Sequence, residues 1–217
     1  MTSIRTRLLP LPFEPDDRTQ DSGHPFIVLE GISGIGKSTL AAVLADRMDG
    51  TTLHTLAPPH SGWSGEAHRM QPLPFLAFYL SGLLHVSDRI RQALDTGPVI
   101  ADRYAASVTA CHAAIHGIAP DDVDALLAPF HPYLVAPDHT FYLTCSDATL
   151  QERMEVKDDT KQDDTDLFGV PGRLKALREC FELVAATDPT ATVLDTDGKT
   201  PDDLADTIAA YLEHPRA

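Results

Sequence analysis

At 217 residues, 43% of them hydrophobic, the chain is long enough to bury the core of one α/β domain without disulfide staples. Its 32 acidic residues outweigh 17 Lys and Arg, for a formal net charge of −15, which argues against nucleic acid or an anionic membrane surface as partner. Cys111, Cys145 and Cys180 form no C-x-x-C pair and no apolar run reaches the length of a membrane span, so reduced thiols in a cytoplasmic protein are expected.

Residues 1–24 hold Arg5, Arg7, Leu8 and Leu9, but Pro10, Pro12 and Pro15 interrupt any signal-peptide core. They are expected to form a flexible leader before a single domain over 25–217. Phe26-Ile27-Val28-Leu29 reads as a buried parallel strand. It runs into Gly31-Ile32-Ser33-Gly34-Ile35-Gly36-Lys37-Ser38-Thr39, the G-x-x-x-x-G-K-[ST] pattern of a phosphate-cradling loop. Glycine lets such a loop bend with positive φ and bring its N–H groups onto phosphate oxygens. The N-terminus of the helix that follows, with Leu40, Val43, Leu44 and Met48 on its apolar face, adds positive potential there. Binding of a nucleoside triphosphate such as ATP is expected along Gly31, Ser33, Gly34, Ile35, Gly36, Lys37, Ser38 and Thr39. Lys37 would reach the β/γ-phosphates, and the Ser38 hydroxyl would face Mg²⁺.

Thr51 to Leu56 is a plausible second strand, and His60 to Gly65, with Trp63, a loop. The spacing of Leu76, Leu80, Leu83, Leu84 and Ile90 predicts a helix over about 73–94, stopped at Gly97. Pro98 to Ala101 is a short apolar strand that delivers Asp102, Arg103 and Tyr104 at its C-terminal end, where ligands bind in open α/β sheets. Helices are expected over 104–116 and 120–130, a fourth strand over 140–144, and a helix capped by Ser146. Val156 to Val170 is polar enough to be a mobile lid or loop. A further helix carries Leu174, Leu177 and Phe181, Thr192 to Leu194 is a last strand, and Thr200 caps the final helix. Alternating strands and helices imply a parallel sheet of about five strands covered on both faces, the three-layer P-loop NTPase fold. GTPase-like strings, Thr160-Lys161-Gln162-Asp163 and Asp195-Thr196-Asp197-Gly198, occur in the wrong order for a base reader and are taken as chance.

From about Phe26 to Leu212 the chain resembles the thymidylate kinase family of nucleoside monophosphate kinases. The residues that carry the likeness are Leu29-Glu30-Gly31 before the loop, Asp102-Arg103-Tyr104, Ser107, Ala110-Cys111-His112, Gly117 and Pro137 to Leu143, with His85 to Leu94 as the preceding helix. The resemblance implies an ATP–Mg²⁺ phosphotransferase, with Asp102 organising Mg²⁺ beside Ser38. It gives Arg103 to the acceptor and transferred phosphates, and a lid cation to the latter. Arg153 is the best placed lid cation, with Lys157 and Lys161 behind it. A homodimer is implied as well.

Departures gather on the acceptor side. The acid that reads the acceptor sugar from within the family loop is Ser33 here, and the family's T-R-E-P aligns with Thr55-Leu56-Ala57-Pro58. The family's acceptor-phosphate arginine aligns with Gly82, and its base-reading Gln with His112. Arg69, Phe75, Arg103, Tyr104 and His112 are therefore the candidate acceptor contacts, and Trp63, Phe78 and Tyr79 further rings. If the acceptor is an unphosphorylated hydroxyl, such as a sugar or an antibiotic, the base would come from Asp102, His60 or Glu66. Asp158, Asp159, Asp163, Asp164 and Asp166 would suit a cationic acceptor or simply solvate the lid. His112 and His116, four apart on a helix, could share a metal but show no third ligand. A kinase acting on a small nucleoside- or nucleotide-like acceptor other than dTMP is expected. The alternatives are a hydroxyl-acceptor kinase and a non-catalytic nucleotide-binding regulator.

Overall fold

The computed structural model describes Pro15, residues 23–157 and residues 162–213, with the side chains of Gln162 and Asp163 excepted. Residues 1–14 and 16–22 of the expected leader, Asp158, Asp159, Lys161 and the Asp163 side chain lie outside the described residues.

The strands are β1 (Phe26–Glu30), β2 (Thr51–His54), β3 (Val99–Asp102), β4 (His139–Thr144) and β5 (Ala191–Asp195). They form one parallel sheet in the order β2-β3-β1-β4-β5. The Phe-Ile-Val-Leu run makes β1 the centre, because a strand paired on both edges and covered on both faces has no polar surface to offer. Its neighbours β3 and β4 leave from opposite sides, so a crevice opens at the carboxyl ends where the order reverses.

The helices are α1 (Lys37–Met48), α2 (Ser64–Ala67), α3 (Pro72–Leu94), α4 (Ala105–His116), α5 (Pro120–Leu127), α6 (Asp147–Glu155), α7 (Gln162–Gly169), α8 (Arg173–Thr187) and α9 (Pro201–Glu213). α1 packs with α9, and α4 packs with α3, α5 and α8, so helices cover both faces of the sheet. This is the P-loop three-layer fold expected from the alternation of elements. Ser146 caps α6 by accepting from the Thr149 amide at 3.2 Å, and Thr200 caps α9 by accepting from the Asp203 amide at 3.1 Å.

Two expectations are corrected. The stretch 60–65 is not irregular: a 3₁₀ turn over His60–Trp63 runs directly into α2. The polar stretch 156–170 is not loop throughout, since α7 forms inside it with Leu167 fully buried. A single buried leucine gives the segment a packing contact that composition alone does not register.

Glu30, at the end of β1, is wholly buried and holds the start of α4. Its Oε1 accepts from the amides of Tyr104 (2.8 Å) and Ser107 (3.1 Å), and its Oε2 accepts from the Ser107 hydroxyl. These are donors that a helix N-terminus otherwise leaves unsatisfied. Burial nonetheless pushes the Glu30 pKa up, against the lowering pull of the Ser107 and Tyr104 bonds and of Arg103. Glu30→Ala should lower the unfolding free energy by roughly 2–4 kcal/mol, since it strands buried donors. Urea denaturation would measure the loss. An unchanged midpoint would show that water replaces the carboxylate without cost.

Candidate active site

The register between β1 and β3 sets Leu29 opposite Asp102, so the phosphate loop and the Asp102-Arg103 pair emerge side by side. The loop has the geometry its glycines allow. Gly31, Gly34 and Gly36 have φ of 135°, 80° and 102°, and a Cβ on Gly31 would meet the Leu143 carbonyl oxygen at 2.8 Å. α1 then starts at Lys37, with its first amides directed at the loop.

Lys37 is 5% exposed and its Nζ donates to the Ile32 carbonyl at 2.6 Å, folded back inside its own loop. Burial and the neighbouring Arg103 push its pKa down to about 7, against the upward pull of Asp102 and Glu30. Ser38 Oγ donates to Asp102 Oδ2, while Asp102 Oδ1 is buried with no hydrogen-bond partner. Burial opposes ionisation of Asp102, but Lys37, the Ser38 hydroxyl, Arg103 and His54 together hold its pKa below the ordinary carboxylate value. The hydroxyl and the ionised carboxylate are hard oxygen donors side by side, one carboxylate oxygen being unsatisfied. That set fits magnesium.

Arg103 adopts φ of 72°, a conformation uncommon for a non-glycine residue, while its amide donates to the Leu29 carbonyl at 3.0 Å. Its Nη1 donates to Gly31 O (3.1 Å) and Ser107 Oγ (3.2 Å), which ties the guanidinium to the first residue of the loop. Tyr104 is the residue before α4, with its ring edge-on to Phe26 at 5.2 Å.

Ser33, Gly34 and Ile35 meet the segment after β4. Ser33 Oγ donates to Asp164, the Met154 sulfur lies 2.2 Å from where a Gly34 Cβ would stand, and Arg153 Nη1 donates to Ile35 O at 2.9 Å. Arg153 also binds Thr196 Oγ1 (2.8 Å) and Thr196 O (2.9 Å), so it braces the loop against the turn after β5. Asp164, one of the acids weighed as lid solvation, is buried and paired with Lys157 at 2.5 Å.

The remaining candidates lie around α3. Arg69 is exposed and bonded to Glu66 at 3.2 Å. His60 bonds Ser81 Oγ at 3.0 Å and lies 5.4 Å from His85 between ring centres. Phe75, 5% exposed, stacks on His112 at 5.8 Å and 22°, and touches His68, Tyr79 and His116. Trp63 stands 64% exposed. Buried atoms without a hydrogen-bond partner gather near this ring cluster: His112 Nδ1, His116 Nε2 and Arg173 Nη1. Burial and His116 push the His112 pKa down to about 4, and burial and Arg173 lower that of His116. Gly82 is buried at the α3 contact with the end of β2, where a Cβ would come within 2.6 Å of Leu56 Cδ2 and 3.2 Å of Thr55 O.

Sequence reasoning gave no role in the site to His54, Glu30, Thr196 or Arg173, although Glu30 is among the residues that carry the family likeness. Glu30 alone left a signal, a charge closing an otherwise apolar strand. The others depend on which strand ends and helix starts meet.

The thymidylate kinase family pattern matches residues 29–208. The chain belongs to the thymidylate kinase family. It is 33% identical over 174 residues to a probable thymidylate kinase of Methanoculleus marisnigri, covering 75% of this chain and 82% of that one. It is 32% identical over 201 residues to a thymidylate kinase of Jannaschia sp., covering 86% and 95%. The solved structure of thymidylate kinase from Candida albicans superposes with a TM-score of 0.71 at 20% identity, over 88% of this chain and 91% of that one. As a thymidylate-kinase-type protein the chain is an ATP-dependent nucleotide kinase. No described helix is long and apolar enough to cross a membrane.

A triphosphate in the loop would draw Lys37 off Ile32 and raise its pKa, so binding should take up a proton. Affinity for ATP is then expected to fall as pH rises from about 7 to about 9, with Lys37→Met removing the dependence. Calorimetry in buffers of different ionisation enthalpy would count the proton. No uptake at about pH 8 would mean that Lys37 is already charged in the free protein.

Proposed function

We propose that this kinase transfers the γ-phosphoryl group of ATP, with Mg²⁺, to a nucleoside- or nucleotide-like acceptor other than dTMP. The observation that carries the acceptor reading is Gly82. The position that aligns with the family's acceptor-phosphate arginine carries no side chain, and α3 packs there so closely that a Cβ would have to displace the end of the Leu56 side chain and ease off the Thr55 carbonyl. Arg69, the substitute offered by sequence, is exposed and engaged with Glu66. Arg103 is then the cation best placed for an acceptor phosphate, tied as it is to Gly31 at the edge of the loop. The unpartnered nitrogens of His112 and His116 against Phe75, and of Arg173 beside His116, suit a planar acceptor ring with polar edges, because buried donors and acceptors call for partners.

The donor side follows from charge. Lys37 leaves the Ile32 carbonyl for the β/γ-phosphate oxygens, the loop amides hold the rest of the triphosphate, and Arg103 meets the oxygens that gain charge during transfer. Ser38 and Asp102 would hold Mg²⁺, which when bound supplies positive charge to the triphosphate. Arg153 keeps Ile35 and the turn at Thr196 together, so its contribution is to the shape of the loop. A monophosphate acceptor brings its own nucleophilic oxygen, and no base is required.

The test is ADP release with Mg–ATP across nucleosides, nucleoside monophosphates including dTMP, sugars and aminoglycosides, with Lys37→Ala as control. The expected result is a kcat/KM on another nucleoside or nucleotide at least about tenfold above that on dTMP, lost in the control. dTMP as the best acceptor would overturn the divergent reading. Turnover confined to sugars or aminoglycosides would move the protein to the hydroxyl-acceptor class.

A further inference from the structure

Three successive residues of the phosphate loop are held by the segment after β4, and one of those contacts is chemically unlike the others. Met154 against Gly34 is packing, and Arg153 on the Ile35 carbonyl is a cation on a neutral acceptor. Asp164, in contrast, brings a carboxylate to the Ser33 hydroxyl with its own side chain 1% exposed. A buried carboxylate beside a loop built for phosphate opposes the ligand unless a cation shares it. Lys157 is that cation: its Nζ lies 2.5 Å from Asp164 Oδ2, with its side chain 21% exposed. The ammonium therefore stands two hydrogen bonds, roughly 6 Å, from the Ser33 hydroxyl at the tip of the loop.

We propose that Asp164 is a positioning residue: it docks α7 on the phosphate loop through Ser33 and holds the Lys157 ammonium where the terminal phosphate of a bound nucleoside triphosphate shares it. This rests on the nucleotide-kinase reading for the identity of the ligand. The electrostatics run in one direction. A triphosphate adds negative charge beside Asp164, and a lysine shared between the two removes the repulsion through charge-assisted hydrogen bonds. A diphosphate ends short of that position and gains nothing. Arg153 is the less suited cation because its terminal nitrogens already bind Ile35 O and both oxygens of Thr196. Docking through Ser33 also makes the orientation of Lys157 depend on the loop conformation, so the two are ordered together.

The experiment needs no acceptor. Calorimetry on the full chain with Mg²⁺ and either AMP-PNP or ADP gives the preference for the terminal phosphate. Lys157→Ala should weaken AMP-PNP binding about tenfold and leave ADP within about twofold, with Lys157→Arg restoring most of the loss. Asp164→Asn should shift the same ratio in the same direction. The double variant should bind no more weakly than Lys157→Ala, because both act through one contact. Ser33→Ala, which removes only a hydroxyl, should lower the ratio as Asp164→Asn does and covers the case in which Asp164→Asn fails to fold. Equal losses for both nucleotides, an unchanged ratio, or additive losses in the double variant would each overturn the role of Asp164. Failure of the wild-type chain to bind either nucleotide would overturn the kinase reading instead.

Discussion

The parallel pairing of β1 with β3 brings the buried charges of Glu30, Asp102 and Lys37 together with the half-buried Arg103, and the rest of the site is arranged to make that patch tolerable. Glu30 and Asp102 end neighbouring strands, with Lys37 and Arg103 entering from the loop and from the turn after β3. No one of these charges could be buried alone without a cost of several kcal/mol. Glu30 is satisfied by the start of α4, and Arg103 by Gly31 and Ser107. Asp102 is satisfied on one oxygen only, and Lys37 rests on a carbonyl with its pKa brought down to about 7. The two incompletely served groups are the ones that a magnesium–triphosphate complex would complete. Incompleteness at these atoms is what gives the site a use for its ligand.

The phosphate loop is a poor candidate for standing on its own. Its glycines confer positive φ and cost conformational entropy, so neighbouring structure has to hold the shape. Residues 33 to 35 obtain that support from α6 and α7, while Arg153 carries it on to the turn after β5. Elements more than a hundred residues apart in sequence are therefore coupled to the loop by direct contacts.

The donor half of this site was legible in the sequence because local rules fix it. Phe26 to Thr39 states a buried strand, a glycine-rich turn and a helix start in fourteen consecutive residues, and the apolar strand ending in Asp102-Arg103 states a strand end at the crevice. The lid was legible only in part. A polar composition with several aspartates describes the average of residues 156–170, whereas the structure turns on two exceptions, buried Leu167 and buried Asp164. Arg153 was expected as a lid cation for the transferred phosphate, and the atoms it binds here, the Ile35 carbonyl and both oxygens of Thr196, are ones that no pattern names. The acid–hydroxyl pair of Asp164 and Ser33 was hidden for a related reason. The serine read as the loss of a charge, when the charge arrives from α7 instead.

On the acceptor side the close packing gathers at Gly82, the position where the family resemblance leads one to expect an arginine. With glycine at 82, α3 approaches the end of β2 until Leu56 and Thr55 occupy the space a side chain would need. An arginine placed there would first have to turn the Leu56 side chain aside and ease off the Thr55 carbonyl, on the same helix that carries Phe75 of the ring cluster with His112. The donor side hangs on β1, β3 and α1, so a change of side chain at position 82 would leave the phosphate loop and the Asp102-Arg103 turn in place.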